Sequence, residues 1–263
     1  MEGPDRSPWF AGDLDDPWVV AIADALPRAF RLDCPGDLPD SWPVAGRTPA
    51  AVVVHRSTLI AADALRLGRL RARWAPAPRL ILCVGPHARY ADVERWARLV
   101  DAVIPEATAP DSVGRQARER DRPPRPGGAG PRVAVVSTNH ELRAALAEAC
   151  RTGGLAAESA SELDDAFPGL AVAWDVPVLE PDWPARLARR AKSSPVVALL
   201  GFADRATVAM ARSHGASACL DLPCDLADLV DALDRVAASR PRDPAHEVPP
   251  APLGSRAGAS RKL

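Results

Sequence analysis

Short, unbroken apolar runs recur along this chain, and after each one apolar residues return every three or four positions. In the second half the runs are Arg132–Val136 (RVAVV), Leu170–Trp174 (LAVAW), Val196–Leu200 (VVALL) and Ala218–Leu222, with a weaker one at Leu155–Ser159. Runs of this length, rich in β-branched side chains and lacking polar alternation, suit strands covered on both faces. The stretches between them predict helices. One is capped by Asn139, carries Leu142, Leu146 and Ala149 along one face and stops at Gly153-Gly154. A short one falls near Glu162–Phe167, and others cover Trp183–Lys192 and Ala206–His214. The last places Leu226, Leu229, Val230, Leu233 and Val236 at helical spacing.

The first half repeats the alternation more loosely. Strands are expected at Pro8–Ala11, Phe30–Asp33, Ala51–His55 (AVVVH), Arg79–Val84 (RLILCV) and Ala102–Ile104. Helices are expected at Asp16–Leu26, with proline in the first turn, and at Leu59–Trp74, Tyr90–Val100 and Ser112–Ala117. Strand and helix thus alternate through five rounds in the second half and more loosely in the first, which predicts an α/β architecture with a parallel sheet covered by helices. Right-handed crossovers leave few topologies, and the expected one is the doubly wound strand order 2-1-3-4-5, twice over, with the functional surface at the carboxyl ends of the strands. The stretch RERDRPPRPGGAGP, residues 118–131, is rich in proline and glycine and nearly lacks apolar residues, so it reads as a linker between domains at 1–117 and 132–239. Residues 240–263 have the same character and are expected to be a disordered tail.

Composition narrows the function classes. Hydrophobic residues make up 47% and charged residues 25% of the 263, a globular balance, and the formal net charge of -1 is too small for a broad nucleic-acid footprint. Only Lys192 and Lys262 are lysines. The five cysteines (Cys34, Cys83, Cys150, Cys219, Cys224) form no CxxC pair and read as small buried hydrophobes of a reducing compartment. The start MEGPDRSPWF has no basic-then-apolar leader, and no run approaches the roughly 18 apolar residues of a spanning helix, so a cytoplasmic protein is expected. No GxSxG, P-loop, GxGxxG or HExxH motif occurs, and the GGAG of the linker follows no strand. Of the seven tryptophans, Trp174 reads as core packing. Trp42 and Trp183 are the candidates for exposure and partner contact, with core or loop-pinning roles the reading for most of the set.

Between Arg132 and Ser239 the order of RVAVVSTNHELRAAL, LAVAWDV, SPVVALLGFADRATVAMARSHGA and ACLDLPCDLADLVDAL resembles a response-regulator receiver (CheY-like) domain, a flavodoxin-like fold. The stretch from Pro8 to Ala117 is similar but more distant, through WFAGDLDDPWVVAIADAL and DAVIPEATAPDSV. The resemblance implies a site with a carboxylate pair after the first strand and an aspartate ending the third, which together hold magnesium through hard oxygen ligands. A hydroxyl residue ending the fourth strand and a lysine ending the fifth would stabilise the phosphoryl group. In the second half these positions fall on Ser137 and Thr138, Asp175, Leu200 and Leu222, so only the phosphoacceptor position, Asp175, keeps its expected chemistry. In the first half the third-strand position falls on His55 and the fifth-strand position on Ile104, before Pro105. Asp13, Asp15 and Asp16 could suggest a metal site, but a helix start attracts acidic side chains through capping, and capping is the reading adopted.

The expectation is therefore a tandem pseudo-receiver: non-enzymatic, with no cofactor and no metal, in which Asp175 is vestigial. It would act by protein–protein recognition through the face formed by the helices at Arg205–His214 and Leu226–Val236. The partner would be a kinase, a regulator or a second copy of the chain, or the two halves would pair with each other; neither nucleic acid nor membrane is expected. Two alternatives stand beside it. One is a small-molecule binder or enzyme using a strand-end cleft near His55, His87 and Asp175. The other is a receiver still phosphorylated at Asp175.

Overall fold

The computed structural model describes residues 7–39, 42, 48–118, 130–164, 169–201 and 203–239. Most of the expected linker, residues 165–168 around the short helix expected near Glu162–Phe167, and the expected tail with His246 and Lys262 lie outside them; the described residues 162–164 form a bend and turn where that helix is expected to start.

The first sheet is built from β1 (Trp9–Gly12), β2 (Phe30–Asp33), β3 (Ala51–Arg56), β4 (Arg79–Val84) and β5 (Ala102–Pro105), in the order β2-β1-β3-β4-β5. The second contains β6 (Arg132–Val136), β7 (Ala156–Ala160), β8 (Ala171–Asp175), β9 (Val196–Gly201) and β10 (Ala216–Leu222), in the order β10-β9-β8-β6-β7. Every pairing is parallel, and both sheets follow the 2-1-3-4-5 order. The apolar runs lie where the pattern demands: every residue of β3 is buried, as are all but the last of β9.

The helices of the first half are α1 (Pro17–Asp24), α2 (Ala61–Ala72), α3 (Tyr90–Ala97) and α4 (Ala109–Arg118); those of the second are α5 (His140–Thr152), α6 (Trp183–Ala191), α7 (Arg205–Ser213) and α8 (Leu226–Ala238). Side-chain caps begin four of them. Asp16 accepts from the Trp18 amide, Asn139 from Leu142, Asp204 from Thr207 and Asp225 from Ala227. Gly215 closes α7 at φ +97, where an added Cβ would come 2.7 Å from that of Ala191, so only glycine suits the turn into β10. The last helix of the first half begins at Ala109, three residues before the expected start, because its first turn is stabilised by packing of Ala109 into the core rather than by apolar periodicity.

Each sheet separates two apolar layers. The halves are not independent of one another. Ala107 and Trp18 of the first half pack into the layer of the second that holds Trp174, Trp183 and Val208. The helix α4 lies against α8 and β10. Of the alternatives offered for the α7–β10–α8 face, the structure contains the packing of the first half against it. Trp42 and Trp183, the tryptophans offered as exposed, are instead 4% and 5% accessible, each anchored in a core layer. Neither the proline-flanked loop around Trp42 nor the helix start at Trp183 says what lies beneath it, which is why the sequence misplaced them. Among the described residues no helix is long and apolar enough to cross a membrane.

Candidate functional site

In the second half the strand ends bring the expected positions together. Asp175 closes β8, and its carboxylate accepts a hydrogen bond from the Ser137 hydroxyl at 2.7 Å, just beyond β6. Ser137 Oγ in turn accepts from the Asn139 amide at 3.1 Å, and the Arg143 guanidinium donates to the Ser137 carbonyl. A small hydroxyl residue thus takes the place of the first carboxylate and neutralises nothing. Leu200, next along β9 from the residue in register with Asp175, is fully buried in one core layer, and Leu222 at the end of β10 packs against the other. Apolar packing fills the two positions that would have to bond a phosphoryl group. Asp221 accepts from the Ala203 amide at 2.7 Å, and burial pushes its carboxyl above the ordinary range.

The first half has a different constellation at the same level, and the strand registers identify it. Asp175 pairs with Leu199 and Leu199 with Leu220; His55 pairs with Cys83 and Cys83 with Ile104. The residue matching Leu222 is therefore Glu106, two beyond Ile104, and the assignment of Ile104 to the fifth-strand position is corrected. The strand-end signal was lost because Pro105 breaks the apolar run before the strand does.

His55 and Glu106 meet there, with Nε2 2.7 Å from Oε2 and both side chains at most 3% accessible. No space remains beside them for a side chain at the first acidic position, and the second falls on Asp13. Gly12 follows Ala11 as Ser137 follows Val136, and a Cβ on Gly12 would come 2.8 Å from Val19 and 3.1 Å from His55. A Cβ on Gly85 would lie 2.8 Å from Ser57 and 3.1 Å from a Glu106 oxygen. Burial opposes ionisation of Glu106, but His55 and Arg205 outweigh it and hold the carboxyl below its usual range.

Arg205 comes from the other half. It donates through Nε and Nη2 to Glu106 and through Nη2 to Asp16 at 2.6 Å, and its guanidinium carbon sits 5.7 Å from the centre of the Trp18 ring. Asp13 and Asp15 stay local, Asp13 accepting from the Asp15 amide, whereas Asp16 both caps α1 and reaches across to Arg205. Capping accounts for Asp16 alone of the cluster, which also takes a bridging role that local pattern could not reveal. Among the described residues no group of three or more His, Cys, Asp or Glu side chains is arranged to hold a metal ion.

Further ion pairs surround the junction. Arg115 of α4 donates to Asp228 and, at 2.6 Å, to Asp225; Gln116 Nε2 donates to Asp228 at 3.0 Å and to Asp225 at 3.3 Å. Arg212 donates to Asp111 at 2.7 Å, and Arg235 donates to the Asp111 carbonyl. Asp111 also accepts from the backbone amide of Cys219 on the outer edge of β10 at 2.7 Å, and burial raises its carboxyl despite these partners. The His55–His87–Asp175 grouping does not form. His55 is buried at the end of β3 and Asp175 ends β8 in the other sheet. His87 is exposed on a turn, and no hydrogen bond or ion pair among the described residues joins the three.

With both strand-end sites placed, the two halves share one doubly wound topology. Each half is a receiver-like fold. No family model and no curated protein matches the chain. Solved structures similar to it include NtrX from Brucella abortus in complex with ADP (21% identity, TM-score 0.37), over 41% of this chain and 27% of that one. A response regulator from Thermotoga maritima is 18% identical at a TM-score of 0.37, over 42% of this chain and 99% of that one. A CheY-like receiver domain protein from Methanospirillum hungatei is 16% identical at 0.36, over 42% and 95%. The match thus spans about a quarter of the NtrX chain.

Proposed function

We propose that this chain is a non-catalytic tandem pseudo-receiver, a signalling or adaptor protein of the cytoplasm that acts by protein–protein recognition without aspartyl phosphorylation. The observation that carries the reading is the pair of leucines, Leu200 buried in one core layer and Leu222 partly buried against the other, where a phosphoryl group on Asp175 would need a hydroxyl and an ammonium. A phosphoryl group brings about two negative charges, which a site made of Ser137, leucine and backbone does not offset. Lys192 offers no substitute. It is exposed at the end of α6 and precedes β9, so it lies at the end of the strands opposite to Asp175.

The first half supports the same reading. Its phosphoacceptor position is a histidine bonded to a buried glutamate, and its first acidic position is a glycine without room for a side chain. What remains for function is surface. The partner in this reading is a protein: a kinase, a regulator or a second copy. Incubation with a small phosphodonor and magnesium, followed by intact mass, tests the claim. An unchanged mass is the expected result, and a stable gain absent from Asp175→Asn would overturn it.

A further inference from the structure

Arg205 stands at the start of α7, directly after the loop that follows Leu200 and Gly201, yet its side chain ends in the other half of the molecule. The socket that receives it has three walls. Glu106 takes two of its N–H groups, Asp16 shares one, and the Trp18 ring lies near the guanidinium plane, an arrangement suited to a planar fork of donors on an aromatic face. His55 supports Glu106 from behind, 2.7 Å away and buried. This socket occupies the strand-end position where the second half keeps Asp175 and Leu222.

The rest of the junction repeats that polarity. Asp16 and Glu106 of the first half meet Arg205 of the second and Asp111 meets Arg212, whereas the signs reverse where Arg115 of α4 meets Asp225 and Asp228. A sliding motion would bring like charges together, so the pattern specifies one register. The first half also closes the open edge of β10, because Asp111 accepts the Cys219 amide, a donor that would otherwise stand unpaired on an edge strand.

We propose that the strand-end site of the first half has become a guanidinium socket, and that Arg205 is the latch by which the first half keeps the α7–β10–α8 face of the second half covered. The face has two states. With Arg205 seated, α4 covers α8 and the β10 edge; with Arg205 withdrawn, the edge donors and the acidic end of α8 become available to another protein. A competitor for the socket would present an arginine to Asp16, Glu106 and Trp18. That the uncovered face then serves recognition rests on the proposed function. The latch itself does not, and it holds whether or not Asp175 accepts phosphate.

Hydrogen exchange followed by mass spectrometry on the full chain tests the latch without phosphodonor or partner. In Arg205→Ala, peptides covering β10 and α8 are expected to exchange about tenfold faster, while those of β3 and β6 stay within about twofold of wild type, the signature of a local opening rather than global unfolding. Glu106→Gln keeps the size of the socket and is expected to accelerate the same peptides by a smaller factor, about threefold. Arg186→Ala is the control, since that side chain bonds Glu162 and Glu180 within its own half, and it is expected to leave β10 unchanged. Unaltered exchange at β10 in both socket variants would overturn the proposal. Acceleration spread evenly over both sheets would overturn it too.

Discussion

Arg115 carries the most informative single perturbation at the junction. Its guanidinium is nearly buried between α4 and α8, bonding Asp228, itself buried, and Asp225, which is half-exposed. Truncation to alanine leaves the Asp228 carboxylate without its cation in a low-dielectric contact. Breaking such a pair from one side costs about 3–5 kcal/mol. Two features place this case at the lower end. The Asp225 contact is partly screened by solvent, and Gln116 still donates to both carboxylates. We expect Arg115→Ala to lower the free energy of unfolding by about 3 kcal/mol, read by urea denaturation with tryptophan fluorescence. The loss should shrink on acidification. Burial already raises the Asp228 carboxyl, and Arg115 is among the groups that hold it down. Without Arg115 the folded-state pKa rises further, so the folded state binds the proton more tightly than the unfolded one and stability falls as pH increases through that window. Arg115→Met combined with Asp228→Leu removes both charges and is expected to recover most of the deficit. A loss under about 0.5 kcal/mol for Arg115→Ala, the size of an ordinary surface change, would refute the buried-pair reasoning.

Glu106 predicts the opposite pH trend. Its carboxyl is held below the ordinary 4.5 by His55 and Arg205 against burial, so its stabilisation is present above 4.5 and lost as pH falls through the lower folded value; acid titration by calorimetry should show the unfolding temperature fall there more steeply than in Glu106→Gln, and equal falls would count against the pair. In the core, Leu199→Ala should cost about 2–5 kcal/mol because Leu199 is fully buried in the layer shared with Leu220 and Leu229, whereas Leu65→Ala, at a side chain 66% accessible on α2, should stay within about 0.5 kcal/mol; equal losses in thermal melts would contradict the assigned layers.

Local chemistry made the elements legible. The apolar runs became strands with boundaries within a residue or two, Asn139 capped its helix as expected, and Gly215 ended α7 where the pattern stopped. The replaced site positions in the second half were legible for the same reason, because Ser137, Asp175, Leu200 and Leu222 each sit at the end of a clear strand and strand order alone gathers them. Glu106 escaped because β5 is short and interrupted by proline, and its partner His55 is 51 residues away, beyond any periodicity. Burial of Trp42 in its loop and of Trp183 at the start of α6 escaped because accessibility depends on neighbours distant in sequence.

The chain's own pattern was sufficient for two parallel α/β halves and for the absence of paired acids and a lysine at the expected positions, since side-chain period and residue identity are properties of short segments. Only the tertiary structure decided what those positions became. It set Glu106 against His55, carried Arg205 across 189 residues to Asp16, and laid α4 over the β10 edge. Such contacts depend on how two finished domains dock, and docking is fixed by desolvated charges and matching surfaces assembled from distant segments, which leave no mark on the local order of residues.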